Sequence, residues 1–202
     1  MDVSRFSPQP KTREDGTFVF LMVARLMWDK GVGEYVAAAR QLKAEFPAVS
    51  FRLLGFLDVP SPSAVPRSEV EAWEREGVIE YLGHSDDMVL VYGEADCVVL
   101  PSYREGMPKT LLEAASMGLP AITTDVPGCR QAVVDGETGF LCNARDATAL
   151  AATMRRMLLL TPEQRAKMGR VARERVVREF DENIVIECYL DVVKAILGDP
   201  RC

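Results

Sequence analysis
The sequence predicts an α/β fold of Rossmann-like type: a parallel sheet with helices on both faces, plus helices at the C-terminus. Three observations carry this. Short runs rich in Val, Phe and Leu are apolar throughout rather than alternating, as strands buried on both faces are. Segments of helical periodicity alternate with them, which joins successive strands by right-handed crossovers. The final stretch, residues 150–197, is helical with no strand between.

The elements follow in order. Residues 17–24 form a continuous apolar run and a first strand. Residues 33–46 carry helix-period apolar positions and stop at Pro47. Residues 49–55 are a second buried strand, followed by a Pro/Ser-rich loop over 58–67. Residues 69–76 read as a short helix, 78–82 as a strand ended by Gly83, and 87–94 as a short helix with Ser85 or Asp86 as cap. Residues 97–100 form a strand closed by Pro101, 108–117 a helix with Pro108 in its first turn, 120–124 a strand and 138–141 a short strand. The terminal helical stretch breaks near Thr161-Pro162, a cap followed by a first-turn proline, and again near Phe180-Asp181. Residues 1–16 are polar, with Pro8 and Pro10 and no apolar core, and read as a linker or chain edge rather than a signal peptide. Met1 is therefore not assumed to be the natural start.

Bulk properties narrow the function. The chain has 202 residues, 48% apolar and 27% charged, enough to bury about 70% of its unfolded surface without staples. Its net charge of −6 argues against nucleic acid as a partner. No run reaches the roughly eighteen apolar residues of a spanning helix. Cys97, Cys129, Cys142, Cys188 and Cys202 form no C-x-x-C pair and no zinc spacing with His84, the single histidine, and read as reduced thiols of a cytoplasmic protein. Asp86-Asp87 is not a D-x-D metal motif.

Ligands of such sheets bind beyond the carboxyl ends of the strands, so the loops there matter most. The first, Arg25 to Gly33, places Arg25, Lys30 and glycines at a helix N-terminus, a receptor for a diphosphate. Solvated cations, with Lys30 paired to Asp29, are the alternative. The second, Ser102 to Lys109, leads into a helix with Glu105 just ahead of it and Glu113 about one and a half turns inside. Carboxylates accept the hydroxyl hydrogen bonds of a polyol such as a sugar or ribose. A surface pair of Lys109 with Glu113 is the alternative. The third, Thr123 to Arg130, and the stretch Asp135 to Gly139 read as Gly/Pro turns. There is no G-x-G-x-x-G dinucleotide fingerprint.

Glu105 and Glu113 form an E-x7-E pattern. With Pro-Ser-Tyr-Arg-Glu-Gly-Met-Pro-Lys-Thr-Leu-Leu-Glu-Ala, Thr-Thr-Asp-Val-Pro-Gly-Cys-Arg, Asp-Gly-Glu-Thr-Gly-Phe-Leu and an R-x4-K at Arg25 and Lys30, the chain resembles bacterial retaining glycosyltransferases of the GT-B fold, family four, over residues 17–197. The resemblance implies one half of a GT-B fold, a donor domain for a nucleotide-sugar, with residues 182–197 as a crossover helix and no N-terminal acceptor domain. It implies that Arg25 and Lys30 hold the diphosphate and act in catalysis, and that Glu113 binds the ribose. It places Glu105, a third catalytic residue, against the transferred sugar, with Gly106, Met107 and Pro108. Lys109, Thr110 and Leu111 would lie at the phosphates, and Gly83 and His84 at the base. No metal or other cofactor is implied. The donor implied is a UDP-sugar, the acceptor a glycan or lipid-linked glycan of a bacterial surface polysaccharide such as lipopolysaccharide. The parent enzyme would work at the cytoplasmic face of the membrane, and this part alone would bind donor without transferring sugar. An epimerase of the same fold and a non-enzymatic α/β binding module are the alternatives, whereas a phosphorylase would need a pyridoxal lysine motif that is not seen.

Overall fold
The computed structural model describes residues 1–10 and 16–197. Six strands form one sheet in the order β3-β2-β1-β4-β5-β6. They are β1 (Phe18–Val23), β2 (Val49–Leu54), β3 (Glu80–Tyr81), β4 (Cys97–Leu100), β5 (Ala121–Thr124) and β6 (Gly139–Cys142). All neighbouring pairs are parallel. The chain builds outwards from β1 through β2 to β3, then returns to β1 and builds the other way from β4.

The helices are α1 (Val32–Glu45), α2 (Arg67–Arg75), α3 (Met88–Gly93), α4 (Lys109–Ser116), α5 (Pro127–Ala132), α6 (Ala147–Leu159), α7 (Pro162–Phe180) and α8 (Glu182–Leu197). Two apolar cores result. Phe20 and Met22 of β1 join Tyr35 and Leu42 of α1 and Met154 and Met157 of α6. Leu21, between them, faces the opposite core with Leu100, Leu111 and Cys129. Successive strand residues point to opposite faces, so a strand covered on both sides must be apolar at every position.

Several boundaries differ from the sequence expectations. The strand expected over 78–82 is paired only at Glu80–Tyr81. Pro108 occupies the cap position of α4, with extended backbone, not the first helical position. Neither Ser85 nor Asp86 caps α3. The Asp87 carboxylate does, accepting from Leu90 N at 3.1 Å. Helix α6 starts three residues early because Asp146 caps it, accepting from Ala149 N at 2.8 Å. At α7 the expected Thr161 cap is a full capping box with Gln164. The turns read at 123–130 contain α5, started by Pro127.

Residues 1–10, expected as part of a linker, pack on the body. Phe6 is 6% exposed in the second core. Its carbonyl accepts from Ser116 Oγ at 2.6 Å and from Arg173 at 3.0 Å. Met1 is stitched to the junction of α7 and α8: its amino group donates to Phe180 O at 2.9 Å, and Glu182 N donates to its carbonyl at 3.0 Å. Helix α8 has no such cover. Val185, Tyr189, Val192 and Ile196 are all exposed.

Candidate functional site
Because the sheet is parallel, all six carboxyl ends share one edge, and the strand order reverses between β1 and β4. The crevice outside such a reversal is where these sheets take ligands. The loops that follow β1 and β4 frame it, and they are locked together. Tyr103 N donates to Asp29 O at 2.9 Å. Gly31, at φ +77°, lies so close to the second loop that a Cβ would fall 2.2 Å from Pro101 O.

Lys30 Nζ meets Glu105 Oε1 at 2.7 Å, and the two side chains are only 15% and 14% exposed. The same oxygen accepts from Ser102 Oγ at 2.7 Å. Ser102 is fully buried. Two short hydrogen bonds, one of them to a cation, thus hold Glu105 in a shielded place where charge attraction is stronger than at the surface. The alternative pairing of Lys30 with Asp29 is not the one formed. Asp29 instead accepts from Ser63 Oγ at 3.1 Å.

Glu113 points from the second turn of α4. Its Oε2 accepts from the Tyr92 hydroxyl at 2.8 Å, and it forms no ion pair with Lys109, which is exposed. The amides of Lys109 and Thr110 precede any intrahelical acceptor. The Leu111 amide is already taken by Pro108 O at 3.1 Å, and the Leu111 side chain is core. Gly106 and Met107 are exposed on the rim, whereas Pro108 is buried. A Cβ at Gly106 would meet nothing within 4 Å, but one at Gly128 would fall 1.8 Å from Gly106 O, so α5 braces this loop from behind.

Arg25 is exposed and forms no ion pair among the described residues. It borders a cavity of about 340 Å³ together with Phe56, His84 and Thr110. Gly83, at φ +69°, turns the chain into this cavity's wall. The His84 ring stacks on Phe56, centroids 4.8 Å apart and planes at 30°. Sequence reasoning missed Phe56, although an aromatic directly after Gly55 at a strand's carboxyl end was a usable signal. It also missed Tyr92 and Ser102, whose hydroxyls hold the two glutamates, and Tyr103. The Tyr103 hydroxyl donates to Glu34 at 2.6 Å and its ring lies under Arg145 at 4.7 Å. Burial and Glu34 push the Tyr103 phenol up to about 12.

The thiols take no part. Cys97, Cys129 and Cys142 are free and buried, and Cys188 is free and exposed. Burial pushes the first two upward and Cys142 to about 12, which keeps them protonated and unreactive. Cys202 lies outside the described residues.

Residues 3–175 match the family described as Glycosyl transferases group 1. The chain belongs to that family. A Campylobacter jejuni relative, N,N'-diacetylbacillosaminyl-diphospho-undecaprenol alpha-1,3-N-acetylgalactosaminyltransferase, is 31% identical over 180 residues, 89% of this chain and 45% of its own. The putative colanic acid biosynthesis glycosyltransferase WcaL of Escherichia coli is 30% identical over 204 residues, 97% of this chain and 50% of its own. Among solved structures, the sucrose-phosphate synthase of Thermosynechococcus elongatus aligns over 98% of this chain and 51% of its own, with TM-score 0.83 and 25% identity. Anabaena HepE in complex with UDP shares the fold over 96% of this chain and 56% of its own, at TM-score 0.82 and 19% identity. This group 1 glycosyltransferase chain therefore has half of a GT-B fold and spans about half the length of the relatives it matches. No helix among its described residues is long and apolar enough to cross a membrane.

Proposed function
We propose that this chain is the donor-binding half of a retaining glycosyltransferase that takes its sugar from a UDP-sugar. The observation that carries this is the Lys30–Glu105 contact across the strand-order reversal. It sets a cation suited to a diphosphate beside a carboxylate suited to sugar hydroxyls, at the edge where such sheets bind ligands.

The roles follow from what each group can donate or accept. An ammonium has three N–H donors, so Lys30 can keep Glu105 and still reach phosphate oxygens. Arg25, with no partner to leave among the described residues, joins it there. The free amides of Lys109 and Thr110 add the pull of a helix N-terminus. Glu105, with Gly106 and Met107 on the rim and Pro108 behind, faces the transferred sugar, and Glu113 the ribose. His84 and Phe56 border the cavity proposed for the base, and Gly83, at φ +69°, turns the chain into His84. In the reaction the bond from the anomeric carbon to the phosphate oxygen breaks. The acceptor hydroxyl attacks from the face the phosphate leaves, and its proton passes to that phosphate. The departing diphosphate gains negative charge, which Arg25 and Lys30 stabilise in place, so no metal is needed.

The preference for UDP draws on HepE, solved with that nucleotide. The names of two relatives, one containing diphospho-undecaprenol and one from colanic acid biosynthesis, support a bacterial surface glycan as product; synthesis at the cytoplasmic face of the membrane is part of the same proposal. The acceptor would bind a separate N-terminal domain, with α8 crossing to it, so this chain would bind donor but not transfer sugar alone.

Thermal unfolding with UDP, GDP, ADP and UDP-sugars, in chelator, tests the proposal. A ligand at a hundred times its Kd stabilises by about 2.7 kcal/mol. For a domain of this size that is a shift of roughly 5–10 °C. UDP should give it, and Arg25→Ala and Glu113→Ala should remove it. A melt that no nucleotide moves would count against a donor site in this chain.

A further inference from the structure
Tyr92 is a buried polar residue that lies outside every loop named above. It sits on α3, is wholly inaccessible to solvent, and its hydroxyl donates to Glu113 Oε2 at 2.8 Å. Its ring is fixed from behind by Phe6, edge-on at 6.2 Å and 66°. Burial, and then the Glu113 charge, push the phenol well above its ordinary range, so it remains a proton donor at any working pH.

Glu113 is half-buried on the second turn of α4. A glutamate has three rotatable bonds, and one turn earlier Lys109 offers a competing partner on the same helix face. The Tyr92 bond removes that freedom by tethering one carboxylate oxygen. The other, Oε1, accepts no hydrogen bond from any described residue. A tethered carboxylate with one oxygen left over is suited to a vicinal pair of hydroxyls, because it meets them without first losing conformational freedom.

We infer that Tyr92 is a positioning residue for nucleoside recognition: its hydroxyl holds Glu113 Oε2 so that Oε1 selects ligands carrying both ribose hydroxyls. Tyr92 has this role only if the donor site proposed above is correct. Its contribution is aim rather than packing, since Phe in its place would fill the same volume.

The test is calorimetric titration of this chain and its variants with UDP and with 2',3'-dideoxy-UDP. The wild-type chain should prefer UDP, and Glu113→Ala should remove the preference. Tyr92→Phe should weaken UDP about tenfold, the loss of one hydrogen bond to a charged group, and leave the dideoxy compound nearly unchanged. Phe6→Leu disturbs the packing but keeps the hydroxyl, and should retain the preference. Full preference in Tyr92→Phe overturns the inference, as does equal weakening of both compounds, or a preference lost as much in Phe6→Leu. If the wild-type chain does not bind UDP, or if Glu113→Ala keeps the preference, the donor-site proposal itself fails and the Tyr92 assignment falls with it.

Discussion

Removing the Lys30 ammonium should cost the free protein stability as well as ligand affinity. In Lys30→Met, Glu105 keeps only the Ser102 hydroxyl, in a place where its side chain is 14% exposed. Exposed ion pairs contribute about 0.2–1 kcal/mol. Breaking a buried one costs about 3–5 kcal/mol, much of it the stranded charge. The Lys30–Glu105 pair lies toward the buried limit but retains one good donor, so a loss of about 2–3 kcal/mol is expected. That lowers the melting temperature by roughly 4–12 °C. Glu105→Gln removes the charge that would be stranded, and the double variant should recover part of the loss. Urea unfolding of the four proteins gives the coupling, expected near 2 kcal/mol and changed little by added salt, because a shielded pair is poorly screened. A coupling under about 0.5 kcal/mol, or an equal coupling of Lys30 to Asp29, would refute the assignment of this pair as the lock between the loops.

Three further outcomes are expected. Gly128→Ala would put a methyl 1.8 Å from Gly106 O, against backbone that cannot step aside. It should destabilise by about 3 kcal/mol or more, read by urea unfolding, and displace the Glu105–Gly106 loop so that UDP binds more weakly. Tyr103 holds its proton to about 12 when folded, whereas the unfolded phenol releases it near its ordinary value of about 10. The stability this contributes is complete below that ordinary value and is lost as pH rises to about 12, so Tyr103→Phe should flatten the fall in urea midpoint across that window. Residues 182–196 of α8 are exposed, so deleting the residues after Asp181 should leave the urea midpoint nearly unchanged; the intact chain should self-associate in sedimentation and the shortened chain should not.

The sheet was legible in the sequence because a doubly covered strand must be apolar at every position, as residues 18–23 and 97–100 are; residues 49–54 depart from this at Ser50 and Arg52, which are only half-buried. Short elements were less so. The two paired residues of β3 carry too little pattern to bound a strand, and Pro127-Gly128 has the composition of a turn although it opens a helix. Phe6 is one apolar residue in a polar stretch, and its burial depends on partners 110 and 167 residues away. The site divides the same way. Lys30 and Glu105 stand beside Gly31 and Gly106 in loops after strands, a pattern visible locally but shared by ordinary surface charges, and Arg25 and Glu113 are singled out by the R-x4-K and E-x7-E spacings of the resemblance. Which acid meets Lys30 is not visible locally: Asp29 is adjacent and Glu105 is 75 residues on. The choice is made by the sheet, which brings the ends of β1 and β4 together. Tyr92 gives no local signal, because a tyrosine on a short apolar helix has the pattern of an ordinary core residue.

Met1 rests on the junction between α7 and α8, so the first described residue and the last helix meet at one corner of the body. Two hydrogen bonds at that corner tether the start of α8 to the body. Met1 and Phe180, which make these contacts, also pack against the second core. The start of α8 is therefore tied to the core that also holds Leu111 and Leu112 of α4, so a disturbance of the last helix is passed to the helix that carries Glu113.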